Sequence, residues 1–156
     1  MNAAGYRYRG QFGRKRKYHY RRPWQDCLCA VVRPAVVVLE LGGNDGLRGV
    51  PIASTRANLE AMIVKIKETG SEVLLAGMTL PPNYGPDYIK AFEEVYLDLA
   101  RKHRLKLIPF LMEDIRTRLV ANPDLMQRDG IHPSAAGHAV IAETVFRYLK
   151  PLLRAS

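Results

Sequence analysis

The sequence predicts an α/β fold, a parallel β-sheet between two layers of helices, and three observations predict it. Short runs rich in branched apolar residues recur at 35–41, 73–78 and 105–110. Between them lie longer stretches whose apolar residues fall at helical spacing. The links are short and carry Gly and Pro. Strands that alternate with helices through short links mean β-α crossovers and parallel pairing.

The elements follow in order. Ala35-Val36-Val37-Val38-Leu39-Glu40-Leu41 is a continuous apolar run, the signature of a strand covered on both faces. Gly42-Gly43-Asn44-Asp45-Gly46 ends it with turn chemistry. Ser54 or Thr55 is expected to cap a helix with Leu59, Met62, Ile63 and Ile66 on one face, stopped by Gly70. Val73 to Met78 reads as a second buried strand. A loop with Pro81, Pro82, Gly85 and Pro86 leads to a helix that presents Tyr88, Phe92, Val95, Tyr96 and Leu99. Leu105 to Phe110 is the third strand, and 111–128 reads as a short helix and loop. Asp129-Gly130-Ile131-His132-Pro133 forms a turn, and Ser134 caps a last helix carrying Ile141, Val145, Tyr148 and Leu152.

Composition narrows the function classes. A chain of 156 residues suits one globular domain. It contains no apolar run long enough for a membrane span, and its Tyr- and Arg-rich start is not a secretory signal. Its two cysteines, Cys27 and Cys29, cannot make a disulfide framework. The net charge of +9 suggests a nucleic-acid partner until its distribution is read. Residues 1–33 hold nine Lys/Arg against Asp26 alone, whereas 34–156 hold fifteen basic and fourteen acidic residues. The basic character belongs to a lead without apolar periodicity, expected to be disordered or a basic arm.

Sites in open parallel sheets collect at the carboxyl ends of the strands. Two polar clusters are expected there, Gly42-Gly43-Asn44-Asp45 and Asp129-x-x-His132. An Asp three residues before a His can turn back to accept from the imidazole Nδ1–H. That fixes the tautomer and leaves Nε2 as a general base. An Asn at a strand end can offer its amide to a developing oxyanion. Taken singly, each cluster is more often just a turn or a loop leading into a helix. Metal binding has less support. His19, His103 and His138 make no ligand spacing with His132, and Cys27-x-Cys29 lacks a matching pair.

Taken together and in this order, the clusters resemble a family. From Pro34 onward the chain is similar to the SGNH (GDSL-type) hydrolases, in the bacterial branch of small arylesterases and acyl-thioesterase/lysophospholipases. Glu40 to Gly49 resembles that branch's third signature block, and Asp129 to Pro133 its fifth. The resemblance implies a three-layer α/β/α, flavodoxin-like sheet. It makes Asn44 an oxyanion-hole donor, Asp129 the orienting acid and His132 the general base. The implied reaction is hydrolysis of a small acyl ester or thioester through an acyl-serine, without metal or cofactor. The family is often exported in bacteria, to the periplasm or beyond.

The same comparison exposes a gap. The family's first block, a Gly-Asp-Ser-Leu-like turn that supplies the nucleophile, and its second, a glycine N–H donor, have no counterpart here. Ser54 and Ser134 read as helix caps, Ser71 as a loop residue and Ser156 as the C-terminus, so no nucleophile is assigned. The expected domain is therefore a partial hydrolase over 34–156, N-terminally truncated, lacking the first strands and inactive as written. In the family's 2-1-3-4-5 strand order the missing central strand neighbours 36–41, which would become an exposed apolar edge. Gly10 to Ala30, back-translated with permissive codons and read one nucleotide later, can yield a Gly- and Thr-rich stretch similar to the second block. Residues 1 to about 30 are thus expected to be an out-of-frame lead. Two competing readings are a Tyr/Arg arm that binds nucleic acid and an acyl-binding pseudoenzyme. The arm carries less weight, because such tails are more often solvated.

Overall fold

The computed structural model describes residues 34–153. The expectations for the basic lead, whether disordered, nucleic-acid-binding or out of frame, concern residues outside that range. Three strands, β1 (Val36–Leu39), β2 (Glu72–Ala76) and β3 (Lys106–Ile108), form a parallel sheet in the order β1-β2-β3. Val36 lies opposite Glu72, and Leu74 opposite Lys106. The helices are α1 (Gly43–Leu47), α2 (Ile52–Glu68), α3 (Pro86–His103), α4 (Glu113–Arg118) and α5 (Ala135–Leu153). Short 3₁₀ turns occupy Pro82–Tyr84 and Pro123–Leu125.

Alternation along β2 builds the layers. Val73 and Leu75 face one side, where they join Leu39 beneath α2 and α3. The expected apolar stripes do the covering: Leu59, Ile63 and Ile66 from α2, and Phe92, Val95, Tyr96 and Leu99 from α3, are all buried. Leu74, Ala76 and Ile108 face the other side, against Ile141, Val145, Tyr148 and Leu152 of α5. The three-layer α/β/α architecture follows.

Three expectations need correction. The run at 35–41 is not covered on both faces, because β1 is the edge of the described sheet and Val38 keeps 39% of its surface. Residues 43–47 are not a plain turn but one turn of α-helix, since the Gly42 carbonyl accepts from the N–H groups of Asp45 and Gly46, both at 3.0 Å. Neither Ser54 nor Thr55 caps α2. The helix starts one turn earlier at Pro51, whose carbonyl accepts from the N–H groups of Ser54 and Thr55, and the Thr55 side chain faces the core. Ser71 lies in the loop before β2 as expected, buried there, with its hydroxyl donating to the Pro34 carbonyl at 2.6 Å. The expected cap at Ser134 is present, its Oγ accepting from the Gly137 N–H at 3.2 Å.

Candidate active site

The carboxyl ends of all three strands open on one cleft of about 620 Å³. Its wall takes Glu40 to Asp45 from the end of β1, Met78 to Pro81 from the end of β2 and Phe110 to Met112 from the end of β3. Gly130 to Pro133 close it from the loop before α5. Asn44 and His132, placed far apart in sequence, thus line the same cavity, as open parallel sheets arrange their sites.

The Asn44 turn is held from below. Gly42 has φ +106, a left-handed conformation that favours glycine. The backbone then lies so close to α3 that a Cβ on Gly46 would stand 2.7 Å from Leu80 and 2.8 Å from Phe92. Three tyrosines reach up to it. The Tyr96 hydroxyl donates to the Leu41 carbonyl at 3.0 Å, Tyr88 to the Gly46 carbonyl at 3.2 Å and Tyr84 to the Leu47 carbonyl at 2.8 Å. Burial of Tyr96, with the negative charges of Asp45 and Glu40 nearby, pushes its phenol well above the ordinary range and keeps it a donor.

The His132 loop is held differently, by cross-bracing within itself. The Gln127 N–H donates to the His132 carbonyl at 2.8 Å, and its side-chain amide to the Pro133 carbonyl at 2.9 Å. The Ser134 N–H donates to the Leu125 carbonyl at 2.9 Å, and its hydroxyl to that of Asp124 at 2.5 Å. Within this frame Asp129 turns back as its spacing predicts. One carboxylate oxygen accepts from the N–H groups of Ile131 and His132, both at 2.9 Å, and the other lies 2.7 Å from His132 Nδ1. The His132 amide, its imidazole and the Ile131 amide together draw the Asp129 carboxyl down to about 2. Asp129 is therefore ionised at neutral pH, and with Nδ1 engaged, Nε2 is the ring nitrogen left to act. The His132 side chain keeps 68% of its surface.

Of the sequence-derived trio, Asn44 and His132 line one cleft, and Asp129 meets His132 from behind at 2.7 Å. Sequence reasoning missed Tyr84 and the wall residues Glu40, Thr79 and His138, and treated Tyr88 and Tyr96 only as an apolar face. Their signal was the residue type itself, since a buried Tyr rather than Phe implies a partner for its hydroxyl. Among the described residues no group of three or more His, Cys, Asp or Glu could hold a metal ion. None of their helices is long and apolar enough to cross a membrane.

The described serines lie elsewhere. Ser54 is exposed in the first turn of α2, Ser71 is buried before β2, and Ser134 is engaged at the start of α5. Among the described residues the one hydroxyl on the cleft wall, that of Thr79, donates to Glu93.

Comparison with known proteins identifies the family. Residues 2–140 match the GDSL-like lipase/acylhydrolase family, a span that reaches back into the basic lead. The chain is 47% identical over 126 residues to the Esterase TesA of Pseudomonas aeruginosa, covering 81% of this chain and 61% of that protein. It is 40% identical over 116 residues to an arylesterase of Vibrio mimicus, covering 74% and 56%. The crystal structure of the psychrotrophic esterase EstA from Pseudoalteromonas sp. superposes with a TM-score of 0.75 at 32% identity, over 85% of this chain and 70% of that one. The chain thus spans little more than half the length of the curated relatives it matches. It belongs to the GDSL-like lipase/acylhydrolase, or SGNH hydrolase, family.

Proposed function

We propose that residues 34–156 carry the acid–base half of an ester or thioester hydrolase, with a small acyl ester or thioester as substrate. The observation that supports this reading most is the Asp129–His132 pair, closed at 2.7 Å on the wall of a cleft that Asn44 also lines. In a complete site a hydroxyl nucleophile attacks the acyl carbon and its proton passes to His132 Nε2. The Asn44 amide faces the oxyanion, a contribution of about 3–4 kcal/mol when well placed. Collapse expels the alcohol or thiol, which takes the proton from Nε2, and water then repeats the sequence on the acyl-enzyme. The printed names of the relatives, an esterase, an arylesterase and a thioesterase/lysophospholipase, are compatible with that chemistry.

The cleft offers no free serine hydroxyl among the described residues, so the purified chain is expected to hydrolyse a short-chain p-nitrophenyl ester no faster than buffer. Rapid turnover abolished by His132→Ala would overturn the expectation of inactivity. The site assignment has its own check. A non-hydrolysable short acyl amide should shift the NMR signals of the His132 ring and the Asn44 side-chain amide, and silence at both would sink it. For residues 1–33, the proposal that they are an out-of-frame lead is read directly from the nucleotide sequence. Stop codons in the shifted frame would end that idea.

A further inference from the structure

We propose that the turn at 118–122, tipped by Leu119 and Val120, enters the surface of a phospholipid bilayer and holds the cleft beside it. The insertion rests on the geometry of the turn. Its purpose, to draw acyl esters from lipid, rests on the functional reading above.

The turn is an apolar projection with a fixed shape. Every residue from Arg116 to Asp124 is exposed. Among them Val120 keeps 99% of its surface and Leu119 37%. Single apolar residues scattered over a surface need no explanation, but Leu119, Val120 and Ala121 stand consecutively at one tip. They are held out by the backbone. The Arg118 carbonyl accepts from the N–H groups of Ala121 and Asn122, at 3.1 and 3.0 Å, and from the Asn122 side-chain amide at 3.3 Å. Ile115 before the turn and Leu125 after it are buried in one cluster with Val140. Both stems are thus anchored in the protein while the tip projects from it.

Size and flanking charge select the occupant. A stable protein interface buries about 800 Å² on each partner, far more than two side chains at the end of a turn supply. A bilayer asks for less, because a tip that passes the headgroups is surrounded by acyl chains. Arg116 and Arg118 flank the tip, and both are exposed. Each has a carboxylate neighbour, Glu113 at 2.6 Å and Glu143 at 3.9 Å, and Asp124 follows on the outgoing stem. A guanidinium has five N–H donors, so one carboxylate leaves donors over for a lipid phosphate. An apolar tip between arginines matches the layering of a bilayer surface, phosphate outside and hydrocarbon within.

The turn is joined to the cleft at both ends. The chain leaves the cleft wall at Met112, passes through α4 and the turn, and rejoins the wall at Gly130. With six residues, α4 is only about 9 Å long. The Arg116 guanidinium lies 5.4 Å from the centre of the Phe110 ring, which is itself on the cleft wall. A bilayer that holds the turn therefore lies beside the wall that carries His132.

The experiment uses the full chain carrying Trp24→Phe, which removes its one tryptophan, together with Val120→Trp as a reporter. Vesicles of phosphatidylcholine alone, and of phosphatidylcholine with phosphatidylglycerol, are added. The expected result is a blue shift of the tryptophan emission and its quenching by lipids brominated on the acyl chain. Val64→Trp, an exposed site on α2 across the sheet, should show neither. In co-sedimentation of the otherwise unchanged chain, Val120→Asp should weaken vesicle binding about tenfold, the worth of withdrawing one valine side chain from hydrocarbon. Arg118→Gln should weaken binding to the anionic vesicles about fivefold, the worth of one cation at such a surface. Far-UV circular dichroism should be unchanged in every variant.

The lead carries nine Lys/Arg and can bring the chain to an anionic surface without the turn, so sedimentation is read together with the emission. No emission shift with either vesicle overturns the proposal. Vesicle binding indifferent to Val120→Asp also overturns it and assigns the affinity to the lead. A shift that grows with protein concentration in the absence of lipid overturns it as well, since a second copy would then own the tip. Insertion, together with NMR shifts of His132 and Asn44 on adding the acyl amide, supports both this proposal and the functional reading. Insertion with silence at those two residues supports the membrane site and refutes the functional reading, and the shifts without insertion do the reverse.

Discussion

Replacing Gly42 by Ala should test how the Asn44 turn is held, because the structure separates the cost into parts. The backbone there has φ +106, and an L-residue forced into such a conformation costs about 1–3 kcal/mol. The new Cβ would also stand 2.4 Å from the Tyr96 hydroxyl oxygen. That oxygen cannot swing away freely. It donates to the Leu41 carbonyl at 3.0 Å, and the ring is 1% exposed and packed edge-on against Phe92 at 5.4 Å. Relief means shifted packing, about 1–3 kcal/mol, and a lost hydrogen bond, about 1 kcal/mol. The single substitution should therefore destabilise by about 3–7 kcal/mol. Tyr96→Phe alone should cost about 1–2 kcal/mol by leaving the Leu41 carbonyl unpaired. In that background the contacts left to the new Cβ are Tyr96 Cζ at 3.5 Å and Thr55 Cγ2 at 3.6 Å, which are ordinary distances. Only the backbone term then remains, so the pair should couple favourably by about 2–4 kcal/mol. Urea unfolding of all four proteins of the cycle, followed by far-UV circular dichroism, reads this number. Should Gly42→Ala alone fail to fold, recovery in the double variant reports the same coupling. Equal costs of Gly42→Ala in the two backgrounds would refute the steric argument.

Two further predictions concern the His132 loop. Asp129 has its carboxyl lowered to about 2 in the folded state, so its contribution is present above the unfolded value near ~3.9 and is lost as pH falls through about 2. Amide NMR should show the Ile131 and His132 N–H signals moving together toward pH ~2, as the carboxylate that accepts from both is protonated; the lack of any shared step below pH ~4 would contradict the hydrogen-bond assignment. Gly137→Ala would set a Cβ 2.1 Å from the Leu125 carbonyl oxygen, a backbone atom with no room to retreat. A cost of about 3 kcal/mol or more is expected in urea unfolding, and less than about 1 kcal/mol would show that α5 can slide instead.

What was legible in the sequence was local. The Asp129–His132 contact spans three residues, so spacing alone placed the carboxylate within reach of the imidazole. The stripes of α2, α3 and α5 were legible for the same reason, as was the stop at Gly70, which has φ +83. The start of α2 was misread because Ser and Thr invite a capping role wherever they precede an apolar run. Thr55, however, lies four residues before Leu59, on the stripe itself, and its side chain goes to the core. The tyrosine contacts were out of reach for another reason. Tyr96 to Leu41 spans 55 residues and Tyr84 to Leu47 spans 37, and no local pattern encodes which carbonyl a hydroxyl will meet. The helical turn at 43–47 was hidden by its glycines, which lower helix propensity, although Gly46 is required by close packing under Leu80 and Phe92.

The two halves of the candidate site answer to different parts of the core. The Asn44 turn hangs from α3, on the side of the sheet where Leu59, Ile63, Phe92, Val95, Tyr96 and Leu99 are all fully buried. The His132 loop hangs from α5 and the 123–125 turn, over a smaller cluster of Ile115, Leu125 and Val140. That cluster lies on the side where Val38 and Phe146 stay exposed. Local stability tracks buried apolar contact, so the two should open independently and at different cost. Gly42→Ala should accordingly raise hydrogen exchange in 43–50 and leave the Ile131 and His132 amides unchanged, with Gly137→Ala doing the reverse. A substitution that loosened both together would mean that the sheet transmits strain between its faces. The Asp129–His132 pair and the Asn44 turn could not then be treated as separately built.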